Sequence, residues 1–334
     1  MATSNSTMTG ARAESSKPLL SFEAAAFVGV VAVLAVLPHF LTDFTTFTVT
    51  KVLIYALAIM GLNLLTGING QFSLGHGAFF AAGAYTTAIM MEQMGVNYVL
   101  TLPAAALISF VLGFLFGFPA LRLEGIYLAL ATFALAVATP QLLKLSVFQD
   151  VTGGVMGIIL FKPDVPFGLP ISQDQWLYYF TLIVGLLLYW LARNLVNSRT
   201  GRALMAIRDN PIAARSMGVN LAMYKATAFG ISAAFTGVAG GLFAIVIAFV
   251  APDAFTFFIS VSFLVGMVVG GVGWLPGALI GAAFIVYVPN EAEKISQGLS
   301  GAFFGIFLIL MIYLAPNGAG GLIQAGVARI KRLF

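Results

Sequence analysis

Residues 28–37 read VGVVAVLAVL, an unbroken apolar run with no polar residue at alternate positions. A strand of a membrane β-barrel alternates lipid-facing and lumen-facing residues with period two. This run does not, so it reads as helix. A hydrocarbon core of about 30 Å needs about 20 apolar residues per helix. The chain supplies such runs in series, at 22–41, 49–66, 72–91, 98–118, 125–145, 176–196, 223–250, 257–273, 275–290 and 300–316. The 334 residues are 60% hydrophobic and only 8% charged, with a mean hydropathy of +1.01, whereas soluble domains carry about 25% charged residues. The expectation is an all-α, polytopic transmembrane protein of about ten spans.

Charge orients the spans. With the N-terminus in the cytoplasm, ten crossings return the C-terminus there. The cytoplasmic side then holds Arg12, Lys17, Arg122, Arg193, Arg199, Arg202, Arg208, Arg215, Lys225, Arg329, Lys331 and Arg332, and the opposite side only Lys51, Lys144, Lys162 and Lys294. Twelve against four is the positive-inside bias. It also explains the net charge of +4 better than nucleic-acid binding does. The outer segments are acidic (Asp43, Glu92, Asp150, Asp164, Asp174, Asp253, Glu291, Glu293). Such a rim suits a basic partner surface, or is simply exempt from the positive-inside demand. Within 146–175, Gly153-Gly154, Pro163, Pro166 and Pro170 predict turns rather than a further span.

This division gives a flexible cytoplasmic N-terminal tail (1–20), a transmembrane domain (21–318) with a cytoplasmic loop at 198–220, and a basic cytoplasmic C-terminal tail (319–334). Spans two to five and seven to ten form two four-helix groups entering the membrane in opposite orientation, as in inverted-repeat transporters. The spacing Gly70…Gly77-Ala78 recurs as Gly270…Gly277-Ala278, but both copies start helices running the same way. The echo therefore reads as shared small-residue packing.

Two stretches break the apolar pattern. Residues 67–85 read GINGQFSLGHGAFFAAGAY. Gly67, Gly70, Gly75, Gly77 and Gly83 each cost about 1 kcal/mol of helix propensity against alanine. In return, small residues let membrane helices approach closely. They also permit unwound backbone, tolerated at membrane depth only where protein or water satisfies it. Asn69, Gln71 and Ser73 are candidates to do so. His76 has no carboxylate or second ligand beside it and reads as a structural residue filling the space its flanking glycines leave. Asn63, Thr86, Thr87, Thr132, Thr139, Ser232, Thr236, Ser260 and Ser262 add mild polarity inside spans, suited to bonding their own helices or to lining a polar path.

The second stretch is SRTGRALMAIRDNPIAARSMGVN (198–220). Asp209 or Asn210 can cap a helix start, Pro211 suits its first turn and Gly218 a left-handed exit. Two turns are unstable alone in water, so this helix is expected to dock, whether onto a partner, onto its own membrane domain, or beside anionic lipid that attracts its arginines. The chain has no cysteine, no G-x-x-x-x-G-K-[ST] phosphate loop and no intramembrane acid cluster of the sort that couples ions. No catalytic, metal or cofactor site is predicted.

Several separated motifs, in order, resemble the membrane permeases of branched-chain amino-acid ABC importers, and within them the longer of the two permease types. These are GLNLLTGINGQFSLGHGAFFAAGAY (61–85), LRLEGIYLALATFA (121–134), TGG (152–154), GRALMAIRDNPIAARSMGVN (201–220) and VVGGVGWLPGALIGA (268–282). The resemblance covers about 49–316 and extends to relatives that import urea, amides or aromatic acids. It implies a bacterial inner-membrane importer with both termini cytoplasmic. This chain would pair with a second permease, two cytoplasmic ATPase subunits that carry the ATP and Mg, and a periplasmic solute-binding protein. Ala213-Ala214-x-x-x-Gly218 resembles the coupling motif that inserts into an ATPase groove. Ile212 stands where many importers have an acidic residue, which moves docking onto Arg208, Arg215, Met217 and the apolar face. The implied translocation path runs from Gly70 to Tyr85, with Asn63, Asn69, Gln71, Ser73, Gly75, Gly77, Gly83, Thr86 and Thr132 as its candidate residues. A channel or ion-coupled carrier acting alone is the competing class.

Overall fold

The structure is a computed structural model. It describes residues 28–123, 125–168, 170–295, 305–306, 309–310, 313 and 318–322, apart from the side chains of Phe167 and Ile295. It divides into two units, Met1–Thr42 and Asp43–Phe334. The tail 1–20 lies outside the described residues, as do most of the tenth predicted span (300–316) and of the tail 319–334.

The described residues of the first unit include an apolar helix, α1 (Val28–His39). In the second, α2 (Asp43–Asn63) runs into a π-helical turn, Leu64–Ile68. It is followed by α3 (His76–Glu92), α4 (Tyr98–Ala120), α5 (Ile126–Leu143) and the short α6 (Gln149–Thr152). Then come α7 (Gln173–Asn197), α8 (Arg199–Asp209), α9 (Pro211–Ser216), α10 (Leu221–Ile247), α11 (Phe257–Gly270) and α12 (Gly277–Ile295). Two short strands, β1 (Ile158–Ile159) and β2 (Phe249–Val250), pair antiparallel with Ile158 opposite Val250.

Among the described residues, six helical segments are long and apolar enough to cross a membrane: Asp43–Ile68, Tyr98–Ala120, Ile126–Leu143, Gln173–Asn197, Leu221–Ile247 and Pro252–Gly270. The third predicted run is shorter as a helix than as an apolar stretch, because residues 72–75 are not helical.

Burial separates these segments into two kinds. Asp43–Ile68 and Leu221–Ile247 are 89% and 83% buried across their most apolar windows, while those of α4, α5 and α7 are 28% or less. α2 and α10 are thus the inner helices, and apolarity does not select them, since α4 is more apolar and mostly exposed. Their neighbours approach through small residues. On α4, Ala105, Ser109, Gly113 and Gly117 are buried at a spacing of four, while Leu107, Ile108, Val111, Leu112, Leu115 and Phe118 of the same helix are exposed. A Cβ on Gly113 or Gly117 would strike Ala233 or Ala226 of α10. Likewise Gly266 faces Gly281, and Gly270 faces Gly277, where α11 meets α12. Lipid gives apolar side chains no reason to leave it, so contact between helices depends on close packing. Between α2, α3, α10 and α11, Tyr55, Phe80, Phe243, Phe255 and Phe263 interlock with mostly edge-on or tilted rings.

The loops gather into two sets. Lys144 Nζ meets Asp253 Oδ1 at 2.5 Å, Lys162 meets Asp174 at 2.8 Å, and Ser172 donates to Asp43 at 2.7 Å. Gln93 reaches the carbonyls of Asp150 and Val151. All belong to segments the charge pattern assigns to the outer side. In the other set, residues 64–75, 198–220 and 271–276 are joined by Asn63 and Arg208.

Candidate functional site

The backbone between α2 and α3 is unwound, and its hydrogen bonds go to side chains distant in sequence. Two residues beyond the π turn stands Gly70, whose φ of +75° suits glycine. Gln71 N–H donates to Leu65 O, and Thr66 Oγ1 to Gln71 O. Asn69 bonds Gln71 side chain to side chain; both are buried, and Asn69 Oδ1 has no partner among the described residues. Leu74 N–H donates to Thr132 Oγ1 of α5 at 2.9 Å, and Gly77 N–H to Ser260 Oγ of α11 at 2.8 Å. Leu74 lies in non-helical backbone and Gly77 in the first turn of α3, where N–H groups have no intrahelical partner, and the hydroxyls of two other helices satisfy both.

His76 bridges the same segment to α10. Ser232 Oγ donates to Gly61 O at 2.6 Å, so it accepts from His76 Nε2, also at 2.6 Å. Nδ1 then accepts from Ser73 Oγ at 3.0 Å, and Ser73 Oγ accepts from Gly75 N–H. This network assigns the Nε2–H tautomer. Phe79 meets the ring edge-on. The arrangement is a fully bonded brace, with neither nitrogen turned toward a reacting group.

The glycines of 67–85 each have a specific neighbour. A Cβ on Gly67 would meet Asn63 Oδ1 and Gly273 N, one on Gly75 would meet Thr132 O at 2.9 Å, and one on Gly77 would meet Ser260 Oγ at 2.6 Å. At Gly83 it would lie 1.9 Å from Gly237 O, where α3 crosses α10. Asn63 is buried and holds the loop between α11 and α12: its Nδ2 donates to Trp274 O at 3.1 Å, and its Oδ1 accepts from Gly273 N–H at 2.7 Å. Thr86 bonds its own helix at Ala82 O. Asn63, Asn69, Gln71, Ser73, Gly75, Gly77 and Thr132 thus surround the unwound segment, while Gly83 and Thr86 lie further along α3. Sequence reading singled out neither Ser232 and Ser260 as its braces nor Gly237 and Gly240 as the other half of the α3 contact. Hydroxyls inside apolar runs were the available signal.

At the same end lies a helical hairpin, α8–α9. Ser198 caps α8, which buries Gly201, Leu204 and Ile207 on one face. Asn210, in extended conformation, caps α9 by accepting from Ile212 N–H (3.1 Å) and Ala213 N–H (3.0 Å), and Pro211 occupies the first position. Of the two candidate caps it is therefore Asn210 that acts. Asp209 closes α8 and pairs with Arg208 at 2.9 Å. Gly218, at φ +84°, ends α9: Gly218 N–H donates to Arg215 O and Val219 N–H to Ala214 O, the Schellman pattern. Ala214 is buried, whereas Ala213 and Arg215 are exposed, and Ile212 (79%) and Met217 (85%) stand out into solvent. Arg208 Nη1, by contrast, turns inward onto Gly67 O at 3.0 Å.

Fold and site together define a polytopic α-helical membrane protein with a satisfied break at the start of an inner helix and a capped helical hairpin beside it. The family described as branched-chain amino acid transport system, permease component, matches residues 44–315. Over 292 residues the chain is 35% identical to the high-affinity branched-chain amino acid transport system permease protein LivM of Salmonella typhimurium, covering 80% of this chain and 68% of that one. It is 34% identical to LivM of Escherichia coli over 316 residues (87% and 74%). It is also 25% identical to the probable branched-chain amino acid transport permease protein LivH of Methanocaldococcus jannaschii over 296 residues (83% and 91%). No solved structure matches. The chain belongs to the branched-chain amino acid transport permease family.

Proposed function

We propose that this chain is one permease of an ATP-driven importer in the bacterial inner membrane, carrying a small polar solute, most simply a branched-chain amino acid, into the cell. Its partners are a second permease, two cytoplasmic ATPase subunits that bind ATP and Mg, and a periplasmic solute-binding protein. The chain crosses the membrane about ten times with both termini in the cytoplasm. The observation that carries this reading is α9. A two-turn helix capped at both ends, presenting Ile212, Met217 and Arg215 outward, is built to enter a groove on another protein rather than to stand in water. The names of the LivM and LivH relatives support the substrate class and the pairing of two permeases. Mild polar groups about the break at 69–75 suit a zwitterion that needs transient contact, with selectivity left to the binding protein.

The test is to express the chain with its neighbouring transport genes, purify it in lipid, and measure uptake of leucine, isoleucine and valine against urea and short amides. Copurified ATPase subunits with ATP-dependent leucine uptake are expected. Uptake without any ATPase subunit would overturn the reading in favour of a carrier acting alone. Labels placed after Phe334 and within 199–220 should react from the cytoplasm, and those within 150–172 from the periplasm.

A further inference from the structure

Arg208 is the last basic residue of α8, and its side chain leaves the hairpin for the membrane domain. Its stem lies against Gly70, where an added Cβ would stand 2.7 Å from Arg208 Cγ. Its Nη1 donates to Gly67 O at 3.0 Å, and Nε donates to Asp209 Oδ1 at 3.0 Å, which fixes the plane of the guanidinium. Gly67 belongs to the π turn Leu64–Ile68. The chain unwinds after this turn: Leu65 O and Thr66 O accept from Gln71 and Gly70 N–H, Gly67 O accepts from Arg208, and a cation is favoured at this negative end of α2. Asn63, which immediately precedes the turn, accepts from Gly273 N–H of the loop between α11 and α12. π turns are rare local irregularities that recur at functional sites. Immediately beyond this one lies the unwound segment 69–75.

We propose that Arg208 is a positioning residue that ties the α8–α9 hairpin to the π turn of α2, so that displacement of α9 is delivered to residues 69–75. The geometry favours transmission over flexing. α8 is anchored by its buried Gly201, Leu204 and Ile207, and only Asn210 separates it from α9. A single side chain touches both Gly67 and Gly70 and so brackets the point where helix becomes unwound chain. This inference rests on α9 being the ATPase-docking element and adds the route by which its motion reaches the membrane interior.

The chain has no cysteine, so with partner subunits stripped of theirs a single introduced cysteine labels one site. In the assembled importer in lipid, an environment-sensitive fluorophore is placed at Ser216→Cys on α9 or at Phe72→Cys, which is 54% exposed in the unwound segment. With Arg208 intact, ATP binding should change the signal at both positions. In Arg208→Gln the Ser216→Cys signal should persist, the Phe72→Cys response should fall at least fivefold, and solute moved per ATP hydrolysed should fall at least tenfold. Arg208→Lys, which keeps a cation within reach of the carbonyl, should recover a substantial part of both. A Phe72→Cys response to ATP in Arg208→Gln equal to that with Arg208 intact would overturn the link. So would losses in Arg208→Gln that merely track a lowered thermal midpoint and appear equally in a comparably destabilised variant elsewhere, such as Gly113→Ala, whose Cβ would strike Ala233 of α10. If the Ser216→Cys label is unresponsive to ATP even with Arg208 intact, the docking reading itself fails, and that result is distinct from failure of the link.

Discussion

Replacing Gly83 by alanine adds one methyl group where α3 crosses α10, and the structure sets its cost. The new Cβ would lie 1.9 Å from Gly237 O and 2.5 Å from Gly237 C and Cα. Ordinary van der Waals contact begins at 3.4 Å, so the helices must part by about 1.5 Å. The obstructing atoms are backbone, and no rotamer change removes them. Overpacking of this kind costs about 1–3 kcal/mol, here toward the upper end because an entire helix contact opens. Gly→Ala recovers up to about 1 kcal/mol of helix propensity, leaving a net loss of about 2 kcal/mol. For a chain of this size that is a thermal midpoint several degrees lower. Gly240→Ala meets the same interface from the other side, 1.9 Å from Phe80 O. Once the helices have parted for one methyl the second costs less, so the double variant should lose less than the sum of the singles. Gly185→Ala is the control, since its Cβ meets only Leu57 Cδ2 at 3.8 Å and should be neutral or stabilising. The assay is thermal denaturation of the purified chain in one detergent. If Gly83→Ala melts with or above Gly185→Ala, the crossing is not set by backbone contact and the packing argument fails.

His76→Ala should lower stability by about 2–4 kcal/mol, from two lost buried hydrogen bonds and a cavity, while His76→Gln keeps most transport. Abolished uptake in His76→Gln at unchanged expression and melting would point to a chemical role instead. Gly218→Val forces a β-branched residue into a left-handed position, at about 1–2 kcal/mol or more; membrane insertion should be normal and stimulation of hydrolysis by the loaded binding protein lost. Normal stimulation would detach α9 from coupling. For Lys144 and Asp253, whose side chains are 25% and 67% exposed, a double-mutant cycle should give a coupling of at most about 1 kcal/mol. A value well above that would mean the pair is shielded from water in the assembled protein.

Much of the fold was legible because its determinants are local. Hydropathy over about 20 residues marks a membrane helix, and the runs at 49–66, 98–118, 125–145, 176–196 and 223–250 fall on the helical segments Asp43–Ile68, Tyr98–Ala120, Ile126–Leu143, Gln173–Asn197 and Leu221–Ile247. Asn210, Pro211 and Gly218 delimit α9 through backbone chemistry within five residues. What tertiary structure alone decided is which face of each helix is inside. In water, burial selects apolar side chains and leaves a periodic trace. In lipid both faces are apolar, and on α4 the large side chains Leu107, Val111 and Leu115 point out while Ser109, Gly113 and Gly117 point in. The unwinding at 72–75, inside an apolar run, likewise depends on Thr132 and Ser260, 58 and 183 residues away from the N–H groups they satisfy. The inward turn of Arg208 depends on a carbonyl 141 residues earlier. No periodicity records these partners, because packing through glycine brings them together and glycine leaves hydropathy almost unchanged.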